Sequence, residues 1–315
     1  MKEKSNINDH KSNINDQKSN INDQKSNIND HKSNMKASLK AHLLIAINKY
    51  DEKHKKSKIK SGRPNALSNE LCLDAIFYVL IEGVTWIIAS KLATNEIKYK
   101  SSIHRKFLNW IKAGIIKESY DKILSSYIAS NPINELYIDS TDIQNKNMTK
   151  NKTYKSFKLN KQAIRLTIVG DSNTIPIDYT IRKAHMPDNV LGYEQLINLK
   201  AKLKKKTFVY GDKGYQMTAE KRKTLLKTKK LELIVPKRQY KKRKCKNPKQ
   251  KSKRKPIRHS KKMKEGLERR IRIEHINSIL HRSYKRLNRV SEKTIKSFEA
   301  FLLLAMSMMI INKKI

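Results

Sequence analysis

Tyr137-Ile138-Asp139-Ser140-Thr141 is an apolar run that closes on a carboxylate and two hydroxyl residues. It reads as a β-strand over 136–139 with the acid at its end. An aspartate in that place is also an ordinary turn or cap residue. Two later acids stand in comparable settings. Asp212 follows the strand-like run Phe208-Val209-Tyr210 within Gly211-Asp212-Lys213-Gly214-Tyr215, and Glu274 lies in Arg269-Arg270-Ile271-Arg272-Ile273-Glu274-His275. On a helical wheel Ile273, Ile276, Leu280, Tyr284 and Leu287 form one apolar stripe, with Arg270, Glu274 and His281 in a second stripe beside it. A helix packed through the first stripe leans Glu274 over the sheet edge that carries Asp139 and Asp212. Three carboxylates so placed are the hard oxygen ligands that two-metal phosphodiester chemistry needs, with ions about 3.5–4 Å apart. Singly, each acid has a plainer reading: a cap, a turn residue, and half of an Arg270–Glu274 surface pair. Asp142, Asp171, Asp178 and Asp188 are set aside as outer residues. Asp142 is demoted because Asp139 directly ends the apolar strand, Asp171-Ser172-Asn173 reads as a hairpin turn, and Asp188 is the one most able to line the site.

Outward from these motifs, further strands are expected at 163–169, 175–181, 208–211 and 231–235. Helices are expected at 191–204 and 218–226, with closing helices over 263–288 and 291–312. Three early strands followed by alternating helices and strands indicate an α/β fold, a mixed sheet flanked by helices. Upstream, helices are expected at 39–50, 67–82 (capped by Ser68, stopped by Gly83), from Thr85-Trp86, at 101–112 and at 117–129. In the fourth of these Ile103, Phe107 and Trp110 face inward, and His104, Arg105 and Lys106 include the outward positions. Short helices with a basic last member suit a helix-turn-helix-like DNA reader over about 60–130; the plainer alternative is a helical bundle with a charged face. The expected division is a leader over 1–38, a helical DNA-binding domain over 39–131, and a catalytic domain over 132–315 with a basic loop at 237–264. The leader holds four perfect seven-residue repeats of Lys-Ser-Asn-Ile-Asn-Asp plus His or Gln. One apolar residue per repeat cannot build a coiled-coil seam, so disorder is expected.

Lysine and arginine number 71 against 28 acids, a net charge of +43. That excess points to a polyanion, most simply nucleic acid, with an acidic membrane surface as the competing target. An A/T-rich coding bias inflates lysine without any binding role, so the scarcer arginine is the better probe. Arginine concentrates after residue 237, which puts phosphate contact on the basic loop, at Lys241, Lys242, Arg243, Lys244 and Arg254. The only cysteines, Cys72 and Cys245, form no disulfide framework or zinc motif, which suits a reducing cytoplasm. The polar start carries no signal peptide, and the apolar run 301–311, interrupted by Ser307, reads as a buried core helix rather than a bilayer span.

In order along the chain, these motifs resemble the DDE transposases of bacterial insertion sequences, in particular family five of the four-and-five superfamily. Gly62-Arg63-Pro64, the run from Asp74 to Leu80 and Gly83-Val84-Thr85-Trp86 resemble that family's N-terminal domain. Asp139-Ser140-Thr141 resembles its first catalytic block and Gly211-Asp212-Lys213-Gly214-Tyr215 its second. Arg270 with Glu274 resembles the third, followed by Tyr284-Lys285-Arg286-Leu287 and Phe298-Glu299-Ala300-Phe301. The resemblance spans roughly residues 60–312. It implies a ribonuclease-H-like catalytic fold in which Asp139, Asp212 and Glu274 are catalytic and ligate two Mg²⁺ ions, with Mn²⁺ able to substitute. It further implies strand cleavage at inverted repeats, strand transfer into target DNA, a homodimer on double-stranded DNA, no membrane partner, and a bacterial, nucleoid-associated location. Arg270, His281, Arg282, His104 and Arg105 join the basic loop as expected DNA contacts. Two positions depart from the family pattern: Leu267 stands where a tyrosine is common, and His281, with Arg282 adjacent, where a lysine is typical. The rival reading is a non-catalytic DNA-binding protein, a decayed or repurposed transposase. A third, a basic RNA-associated protein, has no need for three acids to converge.

Overall fold

Alternation along one long strand organises the molecule. β1 (Glu135–Gln144) pairs antiparallel with β3 (Gln162–Asp171) and parallel with β5 (Thr207–Tyr210). β4 (Pro176–Lys183) lies antiparallel on the far side of β3, β6 (Leu231–Ile234) lies parallel beside β5, and the two-residue β2 (Tyr154–Lys155) adds to β3. The order β4-β3-β1-β5-β6, three antiparallel strands followed by two parallel ones, is the ribonuclease-H-like arrangement. The computed structural model describes residues 34–54, 67–148, 153–201, 203, 205–236 and 260–313. Residues 1–33 of the repeat leader, the Gly62-Arg63-Pro64 boundary and the greater part of the basic loop lie outside the described residues.

Helices cover both faces. On one lie α6 (Asp188–Ile197) and α7 (Ala219–Lys229); on the other lie α9 (Ile271–Ser283) and α10 (Ile295–Asn312), with α8 (Lys261–Glu268) leading into α9. Five helices precede the sheet: α1 (34–54), α2 (Asn69–Glu82), α3 (Trp86–Thr94), α4 (Lys100–Lys112) and α5 (Ile115–Ser130). The caps of α2 are those its sequence indicates. Ser68 accepts from Leu71 N–H, and Gly83 closes the helix at φ 67°. Ile103, Phe107 and Trp110 are buried as the spacing predicts. Lys106 turns inward instead, donating to Leu67 O at 2.7 Å and Asn69 Oδ1 at 2.9 Å, so it ties α4 to the start of α2.

α10 is the rod on which the two halves meet. It is buried from Ser297 to Ile311 except at the half-buried Glu299, and its Phe301 ring lies 4.7 Å from Phe107 and 6.1 Å from Trp86. The helix is long and apolar enough to cross a membrane; here helices α4 and α5 and strand β4 pack against it. The buried apolar residues of the N-terminal helices and of the sheet form one continuous cluster.

Five elements differ from expectation. α1 begins at residue 34, within the leader expected to be disordered, because Met35 and Leu39 are buried against the core. β1 runs on to Gln144, so Asp139 sits within the strand rather than at its end. The helix expected at 191–204 begins at Asp188 and stops at Ile197. The closing helix expected at 263–288 breaks into α8, α9 and a 3₁₀ turn at Lys285–Asn288, because Arg269 at the first junction is drawn to β1. α10 starts at Ile295, where the Thr294 hydroxyl caps it by accepting from Ser297 N–H, while Glu292 is turned inward onto Arg286 at 2.7 Å.

α9 docks where β3 has no side chain. A Cβ on Gly170 would fall 2.2 Å from Ile276 Cδ1 and 3.3 Å from Ile273 Cδ1, both on fully buried side chains. Gly170→Ala is therefore expected to lower stability by about 1–3 kcal/mol, the usual cost of overpacking. Chemical denaturation measures that loss, and an unchanged midpoint would refute this account of the docking.

Candidate active site

Successive residues of β1 face opposite sides of the sheet. Tyr137, Asp139, Thr141 and Ile143 face α9; Ile138, Ser140 and Asp142 face the other layer. Asp142 is thus separated from Asp139 by parity, not by the end of the strand. It is held by Arg165, with Nε donating to its Oδ1 at 2.7 Å, and the same guanidinium reaches Asp188 Oδ1 at 3.1 Å. Asp171 is the hairpin-turn residue its context indicates: it accepts from the N–H groups of Asn173 and Ile175 and from the Tyr127 hydroxyl at 2.6 Å. Asp178 points to the α6 face, beside Gln195.

Parallel pairing sets the second acid beside the first. Tyr137 is in register with Tyr210, and Asp139 and Asp212 each lie two residues further on. Asp212 caps a 3₁₀ turn at Lys213–Tyr215, its Oδ1 accepting from Gly214 N–H at 2.7 Å. A Cβ at 214 would lie 2.9 Å from Asp212 Oδ1 and 3.0 Å from Asp188 Oδ2, so a side chain there would displace both carboxylates. Tyr215 then folds back beneath β1. Its hydroxyl lies 2.6 Å from Ser140 Oγ, which is itself 2.8 Å from Thr167 Oγ1. The Gly-Asp-Lys-Gly-Tyr motif is thereby fastened to the residue that follows Asp139.

α9 brings the third layer. Arg269, at its entry, grips Glu135 through a fork of 2.7 and 3.3 Å, and Arg272 donates to the Ser172 carbonyl at 2.6 Å. Ile273, Ile276 and Leu280 are buried against the sheet. Arg270, Glu274 and Asn277 are left along the face that looks over Asp139. Asn277 Nδ2 donates to Asp139 Oδ2 at 3.1 Å, while Glu274, 52 % exposed, accepts from Arg270 at 2.9 Å. Among the described residues no three acids lie close enough together to hold a metal ion. The expected three-carboxylate cluster is therefore not assembled. Asp139 and Asp212 are neighbours, and Glu274 is on the right helix face but bound to Arg270.

Burial pushes the Asp139 carboxyl up to about 6; the Asp212 charge adds to this, and the Ser140 N–H and the Arg270 charge only partly offset it. Two hard oxygen donors of like sign, one of them desolvated, fit a divalent cation, whose charge relieves both penalties.

The remaining expected residues divide. Arg105 and Arg282 are exposed, on α4 and at the end of α9, and His281 Nδ1 lies 3.1 Å from Asn288 Oδ1. His104 packs its ring 4.9 Å from Trp86, and burial, with Arg286 and Lys293 nearby, holds it below the usual histidine range. Arginine clustering after 237 is also partly structural, because Arg269, Arg272 and Arg286 hold Glu135, the Ser172 carbonyl and Glu292. Lys241, Lys242, Arg243, Lys244 and Arg254 lie outside the described residues. Two contributors were not singled out from sequence. Asn277 falls on the Arg270–Glu274–His281 stripe, where the wheel could have found it. Tyr215 joins Ser140 only through tertiary contact.

Fold and site define a ribonuclease-H-like domain with paired carboxylates at the junction of its antiparallel and parallel strands. The transposase DDE domain family matches residues 131–310, and the chain belongs to that family. Its members generally use divalent metal ions. Among solved structures, the chain is similar to a piggyBac transposase synaptic complex with hairpin DNA, at 13 % identity and TM-score 0.48, covering 84 % of this chain and 70 % of that one. It is also similar to the Mos1 strand transfer complex, at 16 % identity and TM-score 0.24 over 57 % and 63 % of the two chains. No curated protein matches the sequence.

A carboxyl raised toward 6 binds its proton more tightly in the folded state than in the unfolded one. Its contribution to stability is therefore present at low pH, lost as pH rises from about 4 to about 6, and missing above that. Asp139→Asn is expected to stabilise the protein by on the order of 2 kcal/mol at pH 7 without metal, and to leave pH 4 stability nearly unchanged. Thermal melts across pH 4–8 measure this, and Mg²⁺ or Mn²⁺ should raise the wild-type melting temperature more than that of the variant.

Proposed function

We propose that the protein is the transposase of a bacterial insertion sequence, of family five in the four-and-five superfamily, and that it cleaves DNA at the element's inverted repeats and joins the ends to target DNA. The observation that carries this reading is the side-by-side placement of Asp139 and Asp212 beneath the Arg270–Glu274–Asn277 face of α9. Asp139, Asp212 and Glu274 would hold the metal, Mg²⁺ with Mn²⁺ able to substitute. When bound, the metal supplies activation of the attacking oxygen and stabilisation of the leaving one.

The chain's own groups account for the rest. Asn277 orients the Asp139 carboxylate from the helix side, and the Tyr215–Ser140 contact holds the Asp212 turn against β1. Arg270 is placed to exchange Glu274 for a DNA phosphate, a bidentate acceptor well matched to guanidinium, and that exchange frees Glu274 to join the two aspartates. In the first step a water oxygen attacks phosphorus, loses its proton, and releases a 3′-OH. In the second, that 3′ oxygen attacks a target phosphodiester and displaces another 3′ oxygen. The N-terminal helices, with Arg105 exposed on α4, would read the element ends. Arg282, His281 and the basic segment 237–264 would hold backbone phosphates. The protein would work as a homodimer on double-stranded DNA in the bacterial cytoplasm.

A second reading, a DNA-binding protein without catalysis, draws on the Arg270–Glu274 pairing that keeps the third acid from the other two. Mg²⁺-dependent nicking of DNA bearing the element's own ends separates the readings. Asp212→Asn is expected to cut at least about 100-fold more slowly, since even outer residues of metal sites cost 10–100-fold, while end binding persists. Equal nicking by both proteins would overturn the assignment, and no nicking by wild type would favour the second reading. End affinity should fall steeply with salt, because each phosphate contact releases a counterion.

A further inference from the structure

The hairpin between β2 and β3 carries an aromatic side chain with no structural task. Phe157 is fully exposed at 102 %, whereas the rest of the chain keeps most of its aromatic rings packed. Lys155, Lys158 and Lys161 surround it, all exposed, and 153–162 contains no acid. The hairpin is nevertheless anchored. Ser156 Oγ donates to Asp142 Oδ2 at 2.6 Å and accepts from Leu159 N–H at 3.1 Å. That anchor lies on the face of β1 opposite Asp139, but Asp142 shares Arg165 with Asp188, and a Cβ on Gly214 would lie 3.0 Å from Asp188 Oδ2 and 2.9 Å from Asp212 Oδ1, so the hairpin connects to the Asp212 turn. Beside Phe157 lies a cleft of about 850 Å³, lined by Tyr154, Asn160, Arg165 and His185 among others, with the Tyr154 and His185 rings 4.4 Å apart.

We infer that this hairpin is a stacking platform for an unpaired nucleobase of single-stranded DNA beside the active site, with Phe157 as the stacking ring and Lys155, Lys158 and Lys161 as phosphate contacts. The inference rests on the reading of the chain as a DNA-cutting enzyme. A phenyl ring offers a face to any base and no hydrogen bond, so the grip is tolerant of sequence. Three lysines and no acid match a phosphate backbone. One ring on a narrow hairpin is far short of the roughly 800 Å² per partner that a stable protein interface buries.

The test is binding of the full-length protein, in EDTA, to a duplex with a 3′ single-stranded overhang carrying 2-aminopurine, and to the same duplex made blunt. Wild type, Phe157→Ala and Phe157→Trp are compared. Phe157→Ala is expected to weaken overhang binding by about 5- to 100-fold, the range for one stacked base. It should also abolish the 2-aminopurine signal and leave blunt-duplex affinity within about twofold; Phe157→Trp should restore both. Unchanged melting temperature verifies that the fold is intact. The inference is overturned if Phe157→Ala binds the overhang as wild type does, if wild type ignores the overhang, if both DNAs are lost equally, or if the substitution changes only self-association or binding to anionic vesicles. Nicking that depends on Asp212 would survive any of those outcomes. Failure of wild type to nick would instead strike the enzyme reading and leave a Phe157-dependent overhang grip standing.

Discussion

The docking of α9 across β1 and β3 is the contact on which the site depends. Its apolar stripe closes against the bare backbone of Gly170, and its N-terminal end is fastened by two charge-assisted bonds, Arg269 to Glu135 and Arg272 to the Ser172 carbonyl. Hydrophobic burial alone would let such a helix slide or roll, because it is non-directional. The two arginines fix azimuth and height, and so decide that Arg270, Glu274 and Asn277, rather than another face, look over Asp139.

The acidic centre is built against the preference of its own side chains. Asp139 is desolvated beside a second carboxylate, and the groups that oppose this, a backbone N–H, an amide and a guanidinium, leave its affinity for a proton still raised. Nothing in folding favours such a pair over an amide. The cost appears as stability lost at neutral pH, and under the proposed function a bound cation would offset it. The Arg270–Glu274 pair is the complementary case. It is half-exposed and worth little to the fold.

The N-terminal helices and the sheet are joined through one apolar rod. α10 meets α4 and α5 on one side and β4 on another, and the Trp86–Phe107–Phe301 cluster lies at the meeting point. A buried interface of this kind resists hinge motion, since packed cores transmit displacement rather than absorb it.

Much of this could be read from one dimension. Short apolar runs marked the strands, the 273–276–280–284–287 stripe marked the buried face of α9 and of the turn after it, and Ser68 and Gly83 marked the ends of α2, because each depends on neighbours a few residues away. The identity of the acids and the Gly-Asp-Lys-Gly-Tyr turn belong to the same local level. What no local pattern contains is pairing at a distance. The Arg269 fork at the break in the closing helix, the parity that turns Asp142 onto Arg165 and the Asn277 hydrogen bond to Asp139 join residues set in space by the sheet's register, and the inward Lys106 and the His104–Trp86 contact join residues set by helix packing. The Arg270–Glu274 pair itself is local, four residues apart on one helix, but its standing in place of convergence with the aspartates is not. Spacing along a helix permits either partner, and the choice follows from how far α9 stands above the sheet and what charge is at hand.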